Sequence, residues 1–351
     1  MQIINNNRML TTQQTTSIKQ FQRHCRERMD RIQLLSSFKY KEYTITYESI
    51  FTFLPTSERG KNDANNKIRE YLISAIINNQ IPQEYYYSIV WKSFIDKVFQ
   101  YLDQVFHVSP HHPITYSCTI MAGRKYNYDF SVTASNNLNR TKETKKIEFK
   151  FNAKNISNCP QFFSVSTKAN PTISYAEHFY DTCVPIITQM YELPSIERNV
   201  YLKCIHQDKY EKHSWFSQLY HKENEDPNKM KRKKELVNHS IHTFLIDKYL
   251  KTDINQEIDM WNKSFQKSQD GKIYMLYCPK KKRFYIDEIT EDELKIDVDH
   301  MAVDAFDVVN KNVNTLVFNT GENHTTQIKF LLRWRNHAGI LNPAWQISLT
   351  R

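Results

Sequence analysis

Apolar residues at Ile18, Phe21, Cys25, Met29 and Ile32 recur at three- and four-residue steps, which predicts an amphipathic helix. A strand-like stretch follows from Tyr43 to Phe53, then the punctuation PTSERGKNDANN. Helical periodicity returns over 67–78 and again over 85–106. There Ile89, Val90, Phe94, Val98, Phe99, Leu102 and Phe106 share one side. The prolines of HVSPHHP (107–113) stop that helix. Tyr116–Ile120 and Tyr126–Thr133 then read as two strands around MAGRK, and KKIEFKFN (145–152) as a third. Residues 175–190 predict a helix bent or split at Pro185, and 199–205 a strand. Segment 207–238 reads as polar connection or exposed helix. The last third turns β-rich: a hairpin of 272–277 with 283–289, then strands over 315–319, 326–334 and 345–349.

These elements predict an α/β protein in three segments. Residues 1–62 form a helical and strand extension, 63–206 a core with a mixed sheet flanked by helices, and 207–351 a basic, β-rich region. The 351 residues carry 40% hydrophobic and 13% aromatic side chains, too many for a disordered chain. No apolar run reaches the roughly 18 residues that cross a bilayer, so no membrane partner is expected. Only five glycines occur, none near another, which excludes glycine-rich dinucleotide and P-loop phosphate cradles. The six cysteines show no C-x-x-C, so they read as thiols of an intracellular, reducing compartment. The opening residues lack the apolar core of a secretory signal. A net charge of +10 favours a polyanionic partner.

Alternation places Asp129 and Ser131 on one face of the strand YNYDFSV, and Lys146, Glu148 and Lys150 on one face of KKIEFKFN. If the two strands are neighbours, two carboxylates and an ammonium converge. Carboxylate oxygens suit Mg²⁺, which takes one or two of them plus waters and phosphate. The amine two residues from Glu148 can hold a phosphate or orient an attacking water.

Asp129, an 18-residue gap and then Glu148-Phe149-Lys150, with a helix before the hairpin, resembles the PD-(D/E)xK nuclease superfamily over about residues 84–205. The resemblance implies a restriction-endonuclease-like fold and Mg²⁺-dependent (or Mn²⁺-dependent) hydrolysis of phosphodiester bonds, with double-stranded DNA cut internally, as in restriction-type enzymes. It implies Asp129 and Glu148 as metal ligands, Lys150 as the catalytic lysine and Gln161 as a supporting residue. It also implies an acid on the preceding helix, for which Glu70 and Glu84 are the candidates. Tyr128 stands where many members have proline, and the Q-x-x-x-Y pattern of one branch is absent, since FFSV follows Gln161.

Arg232 in KMKRKK, Arg283 in PKKKR, and Arg333 and Arg335 near the end are the candidate nucleic-acid contacts. PKKKR also reads as an import signal or a charged hairpin turn, and Trp334 and Trp345 as base-stacking platforms or core residues. Scattered histidines and the pair Cys183 and His178 read as ordinary residues rather than a zinc site or a nucleophile. The rival reading is a non-catalytic, basic nucleic-acid-binding protein, or an RNA-directed nuclease of the same fold. A homodimer is expected if both strands are to be cut.

Overall fold

In the computed structural model, the described residues are 37–55, 59–108, 114–121, 126–136, 138, 140–166, 174–205, 213–304, 315–334, 337–341 and 343–351. The helix expected over 18–32, and Arg335, lie outside them.

The chain is mixed α/β. It begins with strands β1 (Ser37–Tyr40) and β2 (Tyr43–Thr46), a 3-10 turn over Tyr47–Phe53, then helices α1 (Arg59–Ile77) and α2 (Ile89–Val105). Strands β3 (Ile114–Ile120), β4 (Phe130–Asn136), β5 (Lys142–Phe151) and β6 (Phe163–Ser166) follow. Five helices come next: α3 (Tyr175–Met190), α4 (Arg198–Ile205), α5 (Ser214–Glu225), α6 (Pro227–Leu245) and α7 (Asn255–Gln269). The chain ends with β7 (Lys272–Cys278), β8 (Arg283–Asp287), short α8 (Glu291–Leu294), β9 (Met301–Asp304), β10 (Thr315–Thr320), β11 (Thr326–Trp334) and β12 (Pro343–Thr350).

Contacts divide the chain into two compact units, 1–152 with 273–286, and 153–272 with 287–351. These boundaries are not the three segments read from composition. The reason is topological: β7 and β8 complete the sheet of the first unit, in the order β3-β4-β5-β7-β8, after an excursion through the second.

Strands β3, β4 and β5 form an antiparallel meander, with Cys118 opposite Val132 and Phe130 opposite Ile147. At the far side of β5 the Asn152 N–H donates to the Tyr277 carbonyl at 2.8 Å. The C-terminal ends of β5 and β7 therefore meet. An antiparallel pairing through those atoms would carry β7 past the end of β5, so the two run parallel and the sheet is mixed. All seven residues of β7 are buried, as befits a strand covered on both faces.

One face of this sheet is apolar. Ile147, Phe149, Met275 and Tyr277 pack there with α1 and α2. Helix α2 buries Trp91, Phe94, Ile95, Val98, Tyr101, Leu102 and Val105 at three- and four-residue steps. Phe94, Val98 and Leu102 belong to the stripe read from the sequence, whereas Ile89 and Val90, placed on it, are exposed. Helix α1 is buried all round from Tyr71 to Ile77. At its end the Asn78 amide donates to the Cys118 carbonyl and its Oδ1 accepts from the Cys118 N–H, both at 2.8 Å. One side chain thus satisfies both backbone groups of an edge-strand residue.

Arg69 on α1 has no exposed surface. Its Nε donates to the Thr52 carbonyl at 2.8 Å, and Nη1 donates to the Asn62 and Asn66 side-chain oxygens at 2.6 Å each. The guanidinium lies 3.4 Å from the centroid of the Phe151 ring. Burial pulls its pKa down to about 10.

The second unit holds an antiparallel sheet ordered β6-β12-β11-β10-β9. Its inner face buries Phe318, Phe330, Trp345 and Ile347 against Trp261 and Phe265 of α7. Several expectations are corrected. Residues 199–205 are helical, because Tyr201 and Ile205, four apart, are the buried pair. Tyr47–Phe53 is a 3-10 turn whose start is held by the Ser49 hydroxyl accepting from the Thr46 N–H. Pro185 leaves α3 unbroken as a helix. The segment 214–245 is two helices, and Lys233 of the basic run turns inward to Glu223 at 2.7 Å and the Ala338 carbonyl at 2.8 Å. Trp334 and Trp345 are buried core residues, and PKKK is the turn of the β7–β8 hairpin.

Arg69→Met keeps much of the side-chain volume but removes every donor. The Thr52 carbonyl and both asparagine oxygens lose their partner. Urea unfolding should show a loss of about 2–4 kcal/mol; an unchanged midpoint would mean these bonds contribute little.

Candidate functional site

Asp129 stands immediately before β4, in a bend over 127–129 rather than inside a strand beginning at Tyr126. It nonetheless continues the ladder. Its N–H donates to the Ile147 carbonyl at 3.0 Å and its carbonyl accepts from the Met121 N–H at 2.8 Å. Its Oδ2 accepts from the Phe149 N–H at 2.9 Å, so a side chain takes the place of the next backbone acceptor. With Phe130 opposite Ile147, Asp129 falls at the level of Glu148.

Glu148 is buried, at 9% exposure, and its Oε1 lies 2.5 Å from Lys150 Nζ. Two residues apart on one strand, they share a face. From α1 comes Glu70, 8% exposed, whose Oε2 accepts from Lys67 Nζ at 2.6 Å. Asp129, Glu148 and Lys150 are therefore brought together, as the strand phases required, and Glu70 joins them. Glu84, the other candidate for the helix acid, is exposed in a 3-10 turn over Gln83–Tyr87.

The electrostatics follow from this crowding. Burial pushes the Asp129 carboxyl up, and the charges of Glu70 and Glu148 push it further. The Lys150 ammonium and the Phe149 N–H act in the opposite direction, and the balance is a pKa of about 7. Burial disfavours the Lys67 ammonium, yet its hydrogen bond to Glu70 and the charges of Glu70 and Asp129 outweigh that and raise its pKa. Asp129 thus feels two other carboxylates and a single nearby ammonium, Lys150.

Among the described residues, no three His, Cys, Asp or Glu side chains are already arranged around a point that would hold a metal ion. The donor chemistry still fits one kind of ion. Asp129, Glu148 and Glu70 offer oxygen only, and Mg²⁺ ordinarily takes one or two carboxylates and keeps its waters. Zinc, which prefers histidine and thiolate, has no comparable set here. Cys183 is buried with its thiol pKa raised by burial, which leaves it inert as a nucleophile.

The remaining candidates fall on other elements. Gln161 is half-buried in the second unit, between the 3-10 turn at Ile156–Asn158 and β6. Arg232 is exposed on α6, and Arg333 half-buried on β11, both in the second unit. Arg283 belongs to the first unit, exposed on edge strand β8 with its guanidinium 4.4 Å from the Tyr285 ring centroid. Glu70 was visible beforehand only as one of two acids. Its place at a helix position whose neighbours are all buried was the missing signal.

No protein-family model matches the chain, and no curated protein matches it. Among the described residues, no helix is long and apolar enough to cross a membrane.

The raised carboxyl has a measurable consequence. The unfolded chain releases the Asp129 proton near pH 4, while the folded protein keeps it to about 7. Between those values the native state binds more protons, so stability falls as pH rises. Above about 7 the full penalty is present; below about 4 it is absent. Asp129→Asn should therefore melt at a higher temperature than the parent at pH 8, with the gap closing towards pH 4. A gap independent of pH would contradict the crowding described.

Proposed function

We propose that the first unit is a metal-dependent nuclease that hydrolyses phosphodiester bonds, with double-stranded DNA cut internally as its substrate. The observation that carries this reading is Asp129, raised to about 7 by burial and by the carboxylates of Glu70 and Glu148, with Lys150 held against Glu148. Such a set gains most from a hard divalent cation. The order of parts is further support: a helix precedes the β3–β4 hairpin that leads in from Asp129, and β5 carries the E-x-K. This is the arrangement implied by the resemblance to PD-(D/E)xK nucleases.

Asp129 and Glu148 would hold Mg²⁺, with Mn²⁺ able to replace it. Glu70 would accept hydrogen bonds from the ion's waters or provide a further oxygen. An ion held there would supply a coordinated water of lowered pKa and positive charge against the charge developing on phosphorus. Lys150 has the central part among the protein's own groups. Its ammonium rests on Glu148 and can turn to a non-bridging phosphate oxygen, stabilising the negative charge that grows during attack. Water then adds to phosphorus as the P–O bond to the leaving sugar oxygen breaks, and a 5′-phosphate and a 3′-hydroxyl result. Half-protonation of Asp129 near neutrality makes ion binding compete with a proton, so cation affinity should rise with pH through about 7 and level off above it.

Purified protein should nick supercoiled plasmid with Mg²⁺ or Mn²⁺ and not with chelator. Asp129→Ala and Lys150→Ala should each lower the rate by at least about a hundredfold, while DNA retention on a gel persists. Mg²⁺ should also raise the melting temperature of the parent more than that of Asp129→Asn. Retention of DNA with no cutting under either metal would instead favour a non-catalytic binding protein. Cutting of RNA in preference to duplex DNA would reassign the substrate.

A further inference from the structure

The sheet face opposite the apolar core is polar over its first three strands, and its composition is unusual. The antiparallel register sets its side chains in rows across the strands. The row nearest the acids is Thr119, Ser131 and Lys146, and the next is Ser117, Thr133 and Thr144. The outermost row ends in Lys142. Every side chain in the three rows is a hydroxyl or a lysine, and none is acidic or apolar. The positions on β3 are exposed, as are Lys142 and Thr144, and the β4 hydroxyls are half-buried. Thr133 and Thr144 bond to each other through their hydroxyls at 2.8 Å. One step further along β5 on this same face come Glu148 and then Lys150.

We infer that this face is the track on which the phosphodiester backbone of duplex DNA lies as it enters the site at Asp129, Glu148 and Lys150. The inference rests on the nuclease reading for its direction, and on the face itself for its chemistry. Alternate residues lie about 6.8 Å apart along a strand, and strands about 4.8 Å apart. The three rows and the acid row thus span about 20 Å by 10 Å, roughly six base-pair steps of 3.4 Å. Hydroxyls donate to phosphate oxygens, and lysines displace counterions. The arginine, asparagine and glutamine side chains that read base edges are missing from the face, so the track holds DNA without regard to sequence. A dry protein partner is a poor fit, because the face has no apolar centre to bury.

The test uses the full chain and a fluorescein-labelled DNA duplex of arbitrary sequence, with chelator present so that nothing is cut. Anisotropy titrations run from about 50 to 200 mM salt. Lys142→Gln with Lys146→Gln should lower the slope of log affinity against log salt by about 1.8, since each phosphate left without its lysine removes about 0.9. Ser117→Glu with Thr133→Glu should weaken binding further by placing like charge under the phosphates. The control, Lys39→Gln with Lys92→Gln, removes equal charge from exposed positions elsewhere in the unit. Circular dichroism verifies folding of each variant. Equal slopes for the face pair and the control overturn the track, as does a parent protein that binds no duplex. So does a face pair that changes only the sedimentation of the protein, since that assigns the surface to a second copy. Failure of the two proposals separates cleanly. A parent that never cuts but loses DNA with the face variants keeps the track and loses the nuclease. A parent that cuts and whose face variants bind normally does the reverse.

Discussion

Crowded negative charge in a partly dry place is the constraint around which the first unit is organised. Asp129, in the bend before β4, feels both Glu148 of β5 and Glu70 of α1, and crowding its carboxyl with two others costs free energy that water would otherwise relieve. The protein offsets part of that cost with Lys150 against Glu148, Lys67 against Glu70 and the Phe149 N–H on Asp129. The offset is incomplete, and Asp129 retains its proton up to about neutral pH. A fold optimised only for stability would have no reason to keep three such groups together. Their persistence is the reason for reading the place as functional.

The scaffold that imposes this crowding is visible one residue away from each participant. Arg69 precedes Glu70 on α1, and Phe151 follows Lys150 on β5; the guanidinium lies on that ring while its donors reach across to Thr52. Helix and strand are thus locked together at the points from which the two charged side chains depart. Planar stacking and several directed hydrogen bonds fix orientation in a way that apolar contact alone does not. Asn78 repeats the device at the other end of α1, tying the helix to Cys118 on the edge strand β3.

The meander and its phase were legible from alternation over 126–132 and 145–152, although β4 begins only at Phe130 and the residues before it bend. The hairpin of β7 and β8 and the strands β10 to β12 were legible as short apolar, β-branched and aromatic runs bounded by polar turns. Shorter signals failed. NVYLKCI alternates as a strand would, yet its buried pair is Tyr201 and Ile205, a helical spacing hidden in the same seven letters. Helix α7 was overlooked although Ile258, Trp261 and Phe265 mark its buried side, since charged and amide residues dilute the pattern. The inward turn of Lys233 had no local sign, because its partners Glu223 and Ala338 come from outside the basic run. Of the cluster, Asp129 and Glu148 could be read from the strand phases and Glu70 only narrowed to a pair. Periodicity acts within an element, whereas the placing of a helix against a sheet depends on contacts far apart in the chain.

The detour in the chain has a consequence for the order in which the molecule is made. Once residue 152 has left the ribosome, every charged group of the cluster has been synthesised. Strand β5 still lacks its outer neighbour, and 119 more residues, 153–271, must be translated before that neighbour begins to emerge. Until then β5 is a bare edge, with its backbone groups unpaired on one side and its Phe149 and Phe151 without the cover of β7. The cluster is complete in composition early and complete in architecture late.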